Sequence, residues 1–329
     1  MDFLAVGDTT IDNFIRLKDA RVHCDINDEN CEICMRWGDK IPFETNIEVP
    51  AVGNAANAAV AAARLGLKAA LRAYVGQDEN GDKCIASLKK DVVDTSLMVR
   101  QGGKRTNYHF VLWYEAERTI LIKHESFDYE FIDLQEPPGW LYLSSLAANS
   151  IPYEQACVHW LDRHPQTKFA FQPGTFQINL GADALPELYQ QADIFFCNKE
   201  EAERILKRPA GSDIKELLKG IQVLGPKTAV ITDDIRGAHA MEESGAAWFV
   251  PRYPDPRPPY EITGAGDAFA SSTVAALALG KPLGEALQWG AVNASAVLQE
   301  IGAQKGLLTR EQLEYNLKNP PVNFEIKKI

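Results

Sequence analysis

The chain has 329 residues, 46% of them hydrophobic, with 45 acidic and 34 basic side chains and a formal net charge of −11. This composition is that of an ordinary globular protein near the upper size for one core, so we expect one large domain with an excursion. The acidic surface argues against nucleic acid or an anionic membrane as a partner. No basic region followed by an apolar run opens the chain, and no apolar run reaches the roughly 20 residues of a membrane span, so we expect a cytoplasmic protein.

The first predicted element is a short buried strand at residues 3–7, an apolar run that ends at a glycine. Ligands of parallel α/β sheets bind beyond the carboxyl ends of the strands. Asp8 and Asp12, which follow this strand, are therefore candidates to bind the hydroxyl groups of a substrate. The alternative is that they only cap the loop.

Residues 13–50 do not follow a strand–helix rhythm and predict a β-sheet excursion from the main domain. Cys31 and Cys34 are three positions apart, and Cys24 lies seven residues before Cys31. This is part of the spacing of a structural zinc site, although a fourth ligand is not obvious. The three residues predict either structural zinc or thiols that merely pack or pair.

A helix of small residues is predicted at 52–66, with Gly53 at its entry turn and Gly66 at its end. Asn57 lies one turn into this helix, where asparagine is a mediocre helix former, so we expect its side chain to have a hydrogen-bonding role. A strand at 69–75, a helix at 82–90 and a strand near Leu97 continue the α/β pattern.

Residues 106–113 and 118–124 predict a β-hairpin with a polar turn at 115–117. We expect this hairpin to join the excursion at 13–50 in one small sheet. Lys123 and His124 at its end would then close over a substrate. The alternative is a solvated edge strand protected by its lysine.

From residue 140 the chain alternates between strands and helices. Gln172, Asn198 and Thr232 each follow or end a predicted strand, and a parallel sheet brings such residues to one edge. Asn198 and Glu201 together suit a Mg²⁺ site, since Mg²⁺ prefers oxygen ligands and keeps several waters. The same two residues also fit a helix capping box, which does not exclude metal binding.

A loop of small residues, Gly264, Ala265 and Gly266, opens a long helix at Asp267. The first N–H groups of a helix have no partner inside it and carry a partial positive charge, so this loop predicts a binding site for a phosphate. A carboxylate beside such a site repels the ligand unless it has a task, and we predict that Asp267 is a general base. The alternative is a turn in which Asp267 is only the N-cap.

After this loop we predict a helix at 283–299, a last helix opened by a capping box at Thr309, and a loose tail at 325–329. Five motifs now stand in order along the chain: Gly53-x-x-x-Asn57, Asn198-x-x-Glu201, Thr232, Gly264-Ala265-Gly266-Asp267 and Ala291-Val292-Asn293-Ala294. This set resembles the ribokinase/PfkB family of sugar and nucleoside kinases, over about residues 3–303.

The resemblance implies a ribokinase-like three-layer α/β/α fold with a mostly parallel central sheet and a small β lid. Residues 1–12, 51–104 and 125–329 would form the main kinase domain. Residues 13–50 and 105–124 would form the lid, which here carries a cysteine-containing insertion. The lid makes a dimer clasp in many members, so a homodimer is expected.

The resemblance also implies a function: ATP-dependent phosphorylation of a sugar hydroxyl. It makes Asp267 the catalytic base and residues 264–266 the anion hole for the transferred phosphoryl group. The acceptor pocket would contain Asp12, Gly53, Asn54 and Asn57, with His124 from the lid. The Mg²⁺ ion would be organised, largely through water, by Asn198 and Glu201. The nucleotide would have its phosphates and ribose beside Thr232, Asp234 and Gly237, and its adenine near Asn293. The resemblance also allows a monovalent cation.

Four positions depart from the usual family pattern. Glu261-Ile262 stands where Asp-Thr is usual, Val52-Gly53 where two glycines are usual, Gln172 where many sugar kinases have Asp, and Asp234 where Gly is usual. Three alternatives to a sugar kinase therefore remain open: a nucleoside kinase, a sugar-acid kinase of the ketodeoxygluconate type, and a non-catalytic sugar- or nucleotide-binding protein on the same fold.

Overall fold

The computed structural model describes residues 1–24, 31–114, 117–134 and 136–329. The strands within these ranges are β1 (Phe3–Val6), β2 (Thr10–Leu17), β3 (Arg21–His23), β4 (Glu32–Cys34), β5 (Phe43–Val52), β6 (Ala69–Arg72), β7 (Tyr74–Gly76), β8 (Val99–Gln101), β9 (Asn107–Tyr114), β10 (Glu117–Leu121), β11 (Trp140–Leu143), β12 (Lys168–Phe171), β13 (Ile194–Asn198), β14 (Thr228–Thr232), β15 (Ala238–Glu242), β16 (Ala247–Val250) and β17 (Lys327–Lys328). The α-helices are α1 (Asn54–Arg64), α2 (Glu79–Lys90), α3 (Ile151–Arg163), α4 (Thr175–Leu180), α5 (Pro186–Gln191), α6 (Lys199–Ile205), α7 (Ile214–Val223), α8 (Ala265–Ala278), α9 (Leu283–Val297) and α10 (Arg310–Lys318).

Within the described residues the central sheet has nine strands in the order β17-β16-β15-β14-β13-β12-β11-β1-β6. The strands from β6 to β14 in this order run parallel, whereas β15, β16 and β17 are antiparallel to their neighbours. The mostly parallel central sheet expected from the sequence is confirmed.

Helices cover both faces of this sheet. Phe3 and Ala5 of β1 face a core that includes α1, α8 and α9, while Leu4 and Val6 face a second core with α3, α5 and α7. Because both faces are buried, the parallel strands are almost continuously apolar rather than alternating. The three-layer α/β/α arrangement is therefore confirmed.

The helices α8 and α9 pack close together. A Cβ atom at Gly290 of α9 would lie 2.5 Å from Thr273 Oγ1 and 2.7 Å from the carbonyl oxygen of Phe269, both in α8. No side chain fits in that space, which explains the glycine. The alanine- and serine-rich sequence of α8 suits this close packing against α9.

A second sheet of four strands, in the order β10-β9-β2-β5, lies within the described residues, and we call it the lid sheet. Its strand β2 pairs in parallel with β9 and antiparallel with β5, and β9 and β10 form the expected hairpin. Residues 115–116 of the predicted turn lie outside the described residues. The division of the chain into kinase domain and lid, and the homodimer through the lid, stay predictions.

Two local predictions are corrected. The single strand predicted at 69–75 is two strands, of which β6 belongs to the central sheet and β7 pairs with β8. The tail predicted to be loose instead adds β17 to the sheet, where Lys327 and Lys328 pair with Phe249 and Trp248.

Among the described residues, no helix has both the length and the apolar character needed to cross a membrane.

Polar residues gather at the carboxyl edge of the parallel strands. Asp8 lies just beyond β1, Gln172 just beyond β12, and Asn198 and Thr232 are the last residues of β13 and β14. The parallel order of these strands brings the four positions to the same edge of the sheet. Ligands of open α/β sheets bind at this edge, so the site is to be sought there.

Candidate active site

Asp267 lies in the first turn of α8, three residues after the N-cap. The N-cap is Gly264, which adopts a left-handed conformation with φ of 83° and makes no side-chain capping bond. The interpretation of Asp267 as an N-cap is therefore wrong. The helix begins at Ala265, two residues earlier than predicted, because the left-handed glycine turns the chain into the helix.

The carboxylate of Asp267 is held by two amide groups. Asn57 Nδ2 of α1 donates to Asp267 Oδ2 at 2.8 Å, and Gln172 Nε2 donates to Asp267 Oδ1 at 3.1 Å. The Gln172 side chain is itself fixed by a short hydrogen bond from the Tyr142 hydroxyl. Each carboxylate oxygen thus has one donor and keeps acceptor capacity for a further proton.

Burial raises the pKa of Asp267 above the ordinary value of an aspartate. The hydrogen bonds from Asn57 and Gln172 lower this pKa in part, and the negative charge of Asp12 raises it. The carboxylate is consequently a stronger base than a solvated aspartate. The influence of Asp12 also indicates that this predicted acceptor residue lies near the predicted base.

The loop before α8 leaves backbone amides accessible. Gly264 packs so tightly that an added Cβ would lie 2.3 Å from Ala303 Cβ and 2.6 Å from Ala303 Cα. Gly266, by contrast, faces open space, with no atom within 4 Å of an added Cβ. One glycine therefore fixes the loop against the protein, and the other keeps the approach to the first N–H groups of α8 clear.

A cavity of about 770 Å³ lies next to the loop that opens α8. Ala265 and Gly266 line it at one end, and Thr232, Asp234 and Gly237 line it further along the sheet edge. These three are the residues predicted to lie beside the nucleotide. A cavity of this size, which ends at a helix N-terminus, is suited to a nucleotide with its phosphates toward Gly266.

Asn293 does not contribute to this cavity as predicted. It is fully buried, its Nδ2 donates to Ser272 Oγ at 2.7 Å, and its Oδ1 accepts from the Leu308 N–H at 2.9 Å. Both ends of its amide are therefore used to join α9 to α8 and to the following segment. The predicted contact with adenine is corrected to a structural role, while Ala291 and Ala294 of the same helix do line the cavity.

Asn198 and Glu201 form the reciprocal capping box of α6. Asn198 Oδ1 accepts from the Glu201 N–H at 2.8 Å, and Glu201 Oε2 accepts from the Asn198 N–H at 2.9 Å. Burial raises the pKa of Glu201, and the negative charge of Asp267 adds to this rise. The capping box does not use Glu201 Oε1. Asn198 and Glu201 therefore fit a Mg²⁺ ion that is held mainly through waters and ligand oxygens.

The predicted acceptor residues Asp8 and His124 contact each other and do not line the cavity. Asp8 Oδ1 and Oδ2 accept from the Tyr129 hydroxyl at 2.8 and 2.9 Å, and His124 Nδ1 lies 3.4 Å from Asp8 Oδ2. Gly53 precedes α1 here, where an added Cβ would lie 3.0 Å from the Asp8 carbonyl oxygen, and Asn54 is the first residue of that helix. These contacts bring Asp8 and His124 together and place Gly53 beside Asp8, and Asn57 of α1 bonds to Asp267.

Sequence reasoning missed His109 in this cluster. Its Nδ1 lies 3.3 Å from Asp12 Oδ1, and its ring centroid lies 5.2 Å from that of His124. His109 Nε2 is buried without a hydrogen-bond partner among the described residues. The alternating pattern of β9 could have identified His109 as a buried residue, because the buried face of this strand consists of Asn107, His109, Val111 and Trp113.

Gln304 was also missed, and no local pattern marks it. Its Nε2 donates to Asn57 Oδ1 at 3.0 Å and to the Ala51 carbonyl at 2.6 Å. It thereby orients the Asn57 amide so that Nδ2 faces Asp267. The two side chains are 247 positions apart in the chain, so only the folded structure brings them together.

The zinc prediction is wrong for two of its three cysteines. Cys24 and Cys31 are joined by a disulfide, and sulfurs in a disulfide are not thiolate ligands. Cys34 is a free, exposed thiol at the end of β4. No group of three or more potential metal ligands occurs among the residues that the structure describes, and a monovalent-cation site stays a prediction.

The chain matches the model of the pfkB family of carbohydrate kinases over residues 28–310. It is similar to the 5-dehydro-2-deoxygluconokinase of Bacillus subtilis, with 26% identity over 285 residues that cover 80% of this chain and 85% of that protein. It is also similar to the ribokinase of Bacillus subtilis, with 26% identity over 273 residues that cover 82% and 88%.

Two solved structures share the fold. One is the ribokinase of Arabidopsis thaliana complexed with ribose and ATP, with a TM-score of 0.81, 18% identity, and coverage of 96% of this chain and 98% of that chain. The other is a nucleoside kinase of Methanocaldococcus jannaschii, with a TM-score of 0.78, 17% identity, and coverage of 97% and 98%. At these low sequence identities, the similarity supports the fold alone.

Proposed function

The chain belongs to the pfkB family of carbohydrate kinases, and we propose that it transfers the γ-phosphoryl group of ATP to a hydroxyl group of a sugar acid. The observation that carries the transfer is the position of Asp267. Its carboxylate bonds to Asn57 on the acceptor side, and its neighbour Gly266 lines the cavity on the nucleotide side. The predicted base thus bonds to a predicted acceptor residue and directly follows a residue that lines the cavity.

In the proposed reaction, Asp267 accepts the proton of the acceptor hydroxyl while the oxygen attacks the γ-phosphorus. The bond from phosphorus to the bridging oxygen of ATP breaks, and ADP leaves with that electron pair. The N–H groups that open α8 would stabilise the charge on the transferred group, and positioning with charge stabilisation dominates such transfers.

A Mg²⁺ ion bound with the nucleotide would supply neutralisation of phosphate charge. Asn198 and Glu201 are the residues that would hold its waters, and both lie at the carboxyl end of β13. Local neutralisation matters in this chain because its net charge of −11 opposes the binding of a nucleotide.

Two observations favour a sugar acid over a neutral sugar. A relative that covers most of the chain is named 5-dehydro-2-deoxygluconokinase. In addition, the ring centroids of His109 and His124 lie 5.2 Å apart, and buried His109 Nε2 has no hydrogen-bond partner within the described part of the chain. Imidazole N–H groups are suitable donors to a carboxylate.

The test is an acceptor screen with ATP, in which ADP release is measured for sugar acids, neutral sugars and nucleosides. We expect the highest kcat/KM for a sugar acid. Preference for a neutral sugar would overturn the acceptor class, and preference for a nucleoside would point to a nucleoside kinase. Ligand binding without ADP release for every acceptor would indicate a non-catalytic binding protein and would overturn the proposed transfer.

His124→Gln should raise KM for the sugar acid by roughly tenfold or more, because a hydrogen bond to a charged group contributes about 1.5–3 kcal/mol. KM for a neutral sugar of the same size should change little. Steady-state kinetics with both acceptors measure the difference, and His159→Gln, an exposed histidine of α3, is the control. Equal rises in KM for both acceptors would contradict recognition of a carboxylate.

The acid limb of kcat/KM should report the protonation of Asp267. As pH falls through its pKa the base is lost, and burial places this loss at higher pH than for a solvated aspartate. Gln172→Met removes a donor that lowers this pKa, so the limb should move to still higher pH. Profiles of kcat/KM against pH measure the shift.

The matched control for this pH profile is Gln191→Met, because Gln191 Nε2 donates to the carboxylate of Asp162 far from the site. This variant should retain the wild-type acid limb. A limb that stays in place for Gln172→Met would mean that a group other than Asp267 controls it.

A further inference from the structure

Glu261 is a buried carboxylate three residues before the anion hole. It is 2% exposed. Its Oε1 accepts from the Thr263 N–H at 2.7 Å and from the Thr263 hydroxyl. Its Oε2 accepts from the Gly302 N–H at 3.4 Å. Thr263 precedes Gly264, and Gly302 precedes Ala303, against which Gly264 packs. The carboxylate therefore joins the two chain segments that fix the anion hole.

The positive charge near this carboxylate comes from the lid sheet. Arg118 Nε of β10 lies 3.6 Å from Glu261 Oε1, and the Arg118 side chain is only 23% exposed. That separation makes an ion pair, and Arg118 Nε is buried without a hydrogen-bond partner among the described residues. A buried carboxylate without a counter-charge is strongly destabilising, so the position of Arg118 matters for the loop below it.

A second contact lies beside this ion pair. The ring of Trp113 in β9 meets the ring of Tyr260 edge-on at 5.4 Å, and the guanidinium of Arg16 in β2 lies 4.7 Å from the Trp113 ring. The Tyr260 N–H donates to the Leu298 carbonyl of the main domain at 2.8 Å. Consecutive residues of the loop thus meet consecutive strands of the lid sheet, which is a docking contact rather than an isolated bridge.

We propose that Arg118 is a positioning residue for phosphoryl transfer. Its guanidinium neutralises Glu261, and Glu261 in turn fixes the loop that forms the anion hole at residues 264–266. The anion hole is then fully ordered when the lid sheet lies against the loop, so that closure over the acceptor and readiness of the phosphoryl site are coupled. This inference rests on the proposed function and adds to it a residue that does not touch either substrate.

The test is a double-mutant cycle with Arg118→Met, Glu261→Gln and the double variant, together with Arg118→Lys. For each variant, kcat, KM for ATP and the acceptor, and stability to urea are measured. Arg118→Met should lower kcat by roughly tenfold or more with little change in KM for ATP. Arg118→Lys should recover part of the kcat, and so should added guanidinium ion at concentrations that do not unfold the protein.

The double variant should be more active and more stable than Arg118→Met alone, because it no longer carries an unpaired buried carboxylate. Arg105→Met is the control for loss of an arginine next to β9, because Arg105 is exposed and takes no part in the contact with the loop. The proposal is overturned if Arg118→Met retains kcat, if the two single effects simply add in the double variant, or if the loss in kcat is matched by Arg105→Met.

The two proposals fail in different ways. A wild-type protein that releases no ADP with any acceptor overturns the proposed transfer and with it the role of Arg118 in that transfer. The urea cycle then still measures the coupling between Arg118 and Glu261, and additive effects would also overturn the ion pair as the link between lid sheet and loop. ADP release by the wild type with unchanged Arg118→Met kinetics overturns the further inference alone.

Discussion

Asp267→Asn should lower kcat by about 10²–10⁴-fold, the usual contribution of a general base. The substitution keeps the size of the side chain, but an amide cannot accept the proton of the acceptor hydroxyl. The site should otherwise persist, since Asp267 lies on the first turn of α8 and the Gly264 conformation that begins this helix does not depend on its carboxylate. Steady-state kinetics with the true acceptor measure the loss.

The affinity for ADP and the stability to urea should change little in this variant, which separates a lost base from a lost fold. Asp162→Asn on the outer helix α3 is the matched control, because that exposed carboxylate also accepts from a glutamine amide but lies far from the site. Turnover at the wild-type level for Asp267→Asn would contradict its role as the base. Loss of ADP binding would mean that the carboxylate acts on the nucleotide instead.

Gly264→Ala should lower kcat by roughly 10²–10³-fold, by analogy with the removal of an oxyanion-hole donor. The added Cβ would meet Ala303 Cβ at 2.3 Å and Ala303 Cα at 2.6 Å, distances that force the loop to move. Because Gly264 is also left-handed, the variant should lose about 1–3 kcal/mol of stability. Kinetics and urea unfolding together measure both effects.

The matched control is Gly280→Ala at the other end of α8. Gly280 has a similar φ of 78°, but an added Cβ there meets no atom within 4 Å. This variant should therefore lose stability through backbone strain alone and keep its kcat. Equal loss of kcat in both variants would mean that strain in α8, rather than displacement of the anion hole, lowers the rate.

Much of the architecture was predictable because its local signals are strong. Short apolar runs that end at polar residues mark the parallel strands β1, β12, β13 and β14, and the edge they share follows from their direction. The capping boxes at Asn198 and Thr309 were visible as spacings and are confirmed. The tail strand was not predictable, because the pairing of two lysines with β16 is a tertiary choice with no local pattern.

The candidate site also contains residues that the sequence predicted and residues that it did not. Asp267, Asn57 and the glycines stand in recognisable motifs, so their proximity was expected and the bond between Asn57 and Asp267 agrees with it. Gln304 and Arg118 carry no motif and reach the site only through long-range packing. Cysteine spacing alone does not distinguish a disulfide from metal ligands, which is why zinc and thiol pairing both stayed open for Cys24 and Cys31 until the structure showed their disulfide.

The last strand of the central sheet has a consequence for solubility. Without β17, the backbone groups of Trp248 and Phe249 that face it would form an open border that another molecule's strand can join. Residues 327–328 occupy that border with two charged ammonium groups, and Lys328 Nζ also lies 5.7 Å from the Trp248 ring centroid. Charged residues at the edge of a sheet disfavour pairing with a further strand, so we expect residues 327–328 to disfavour edge-to-edge association of two molecules at β16.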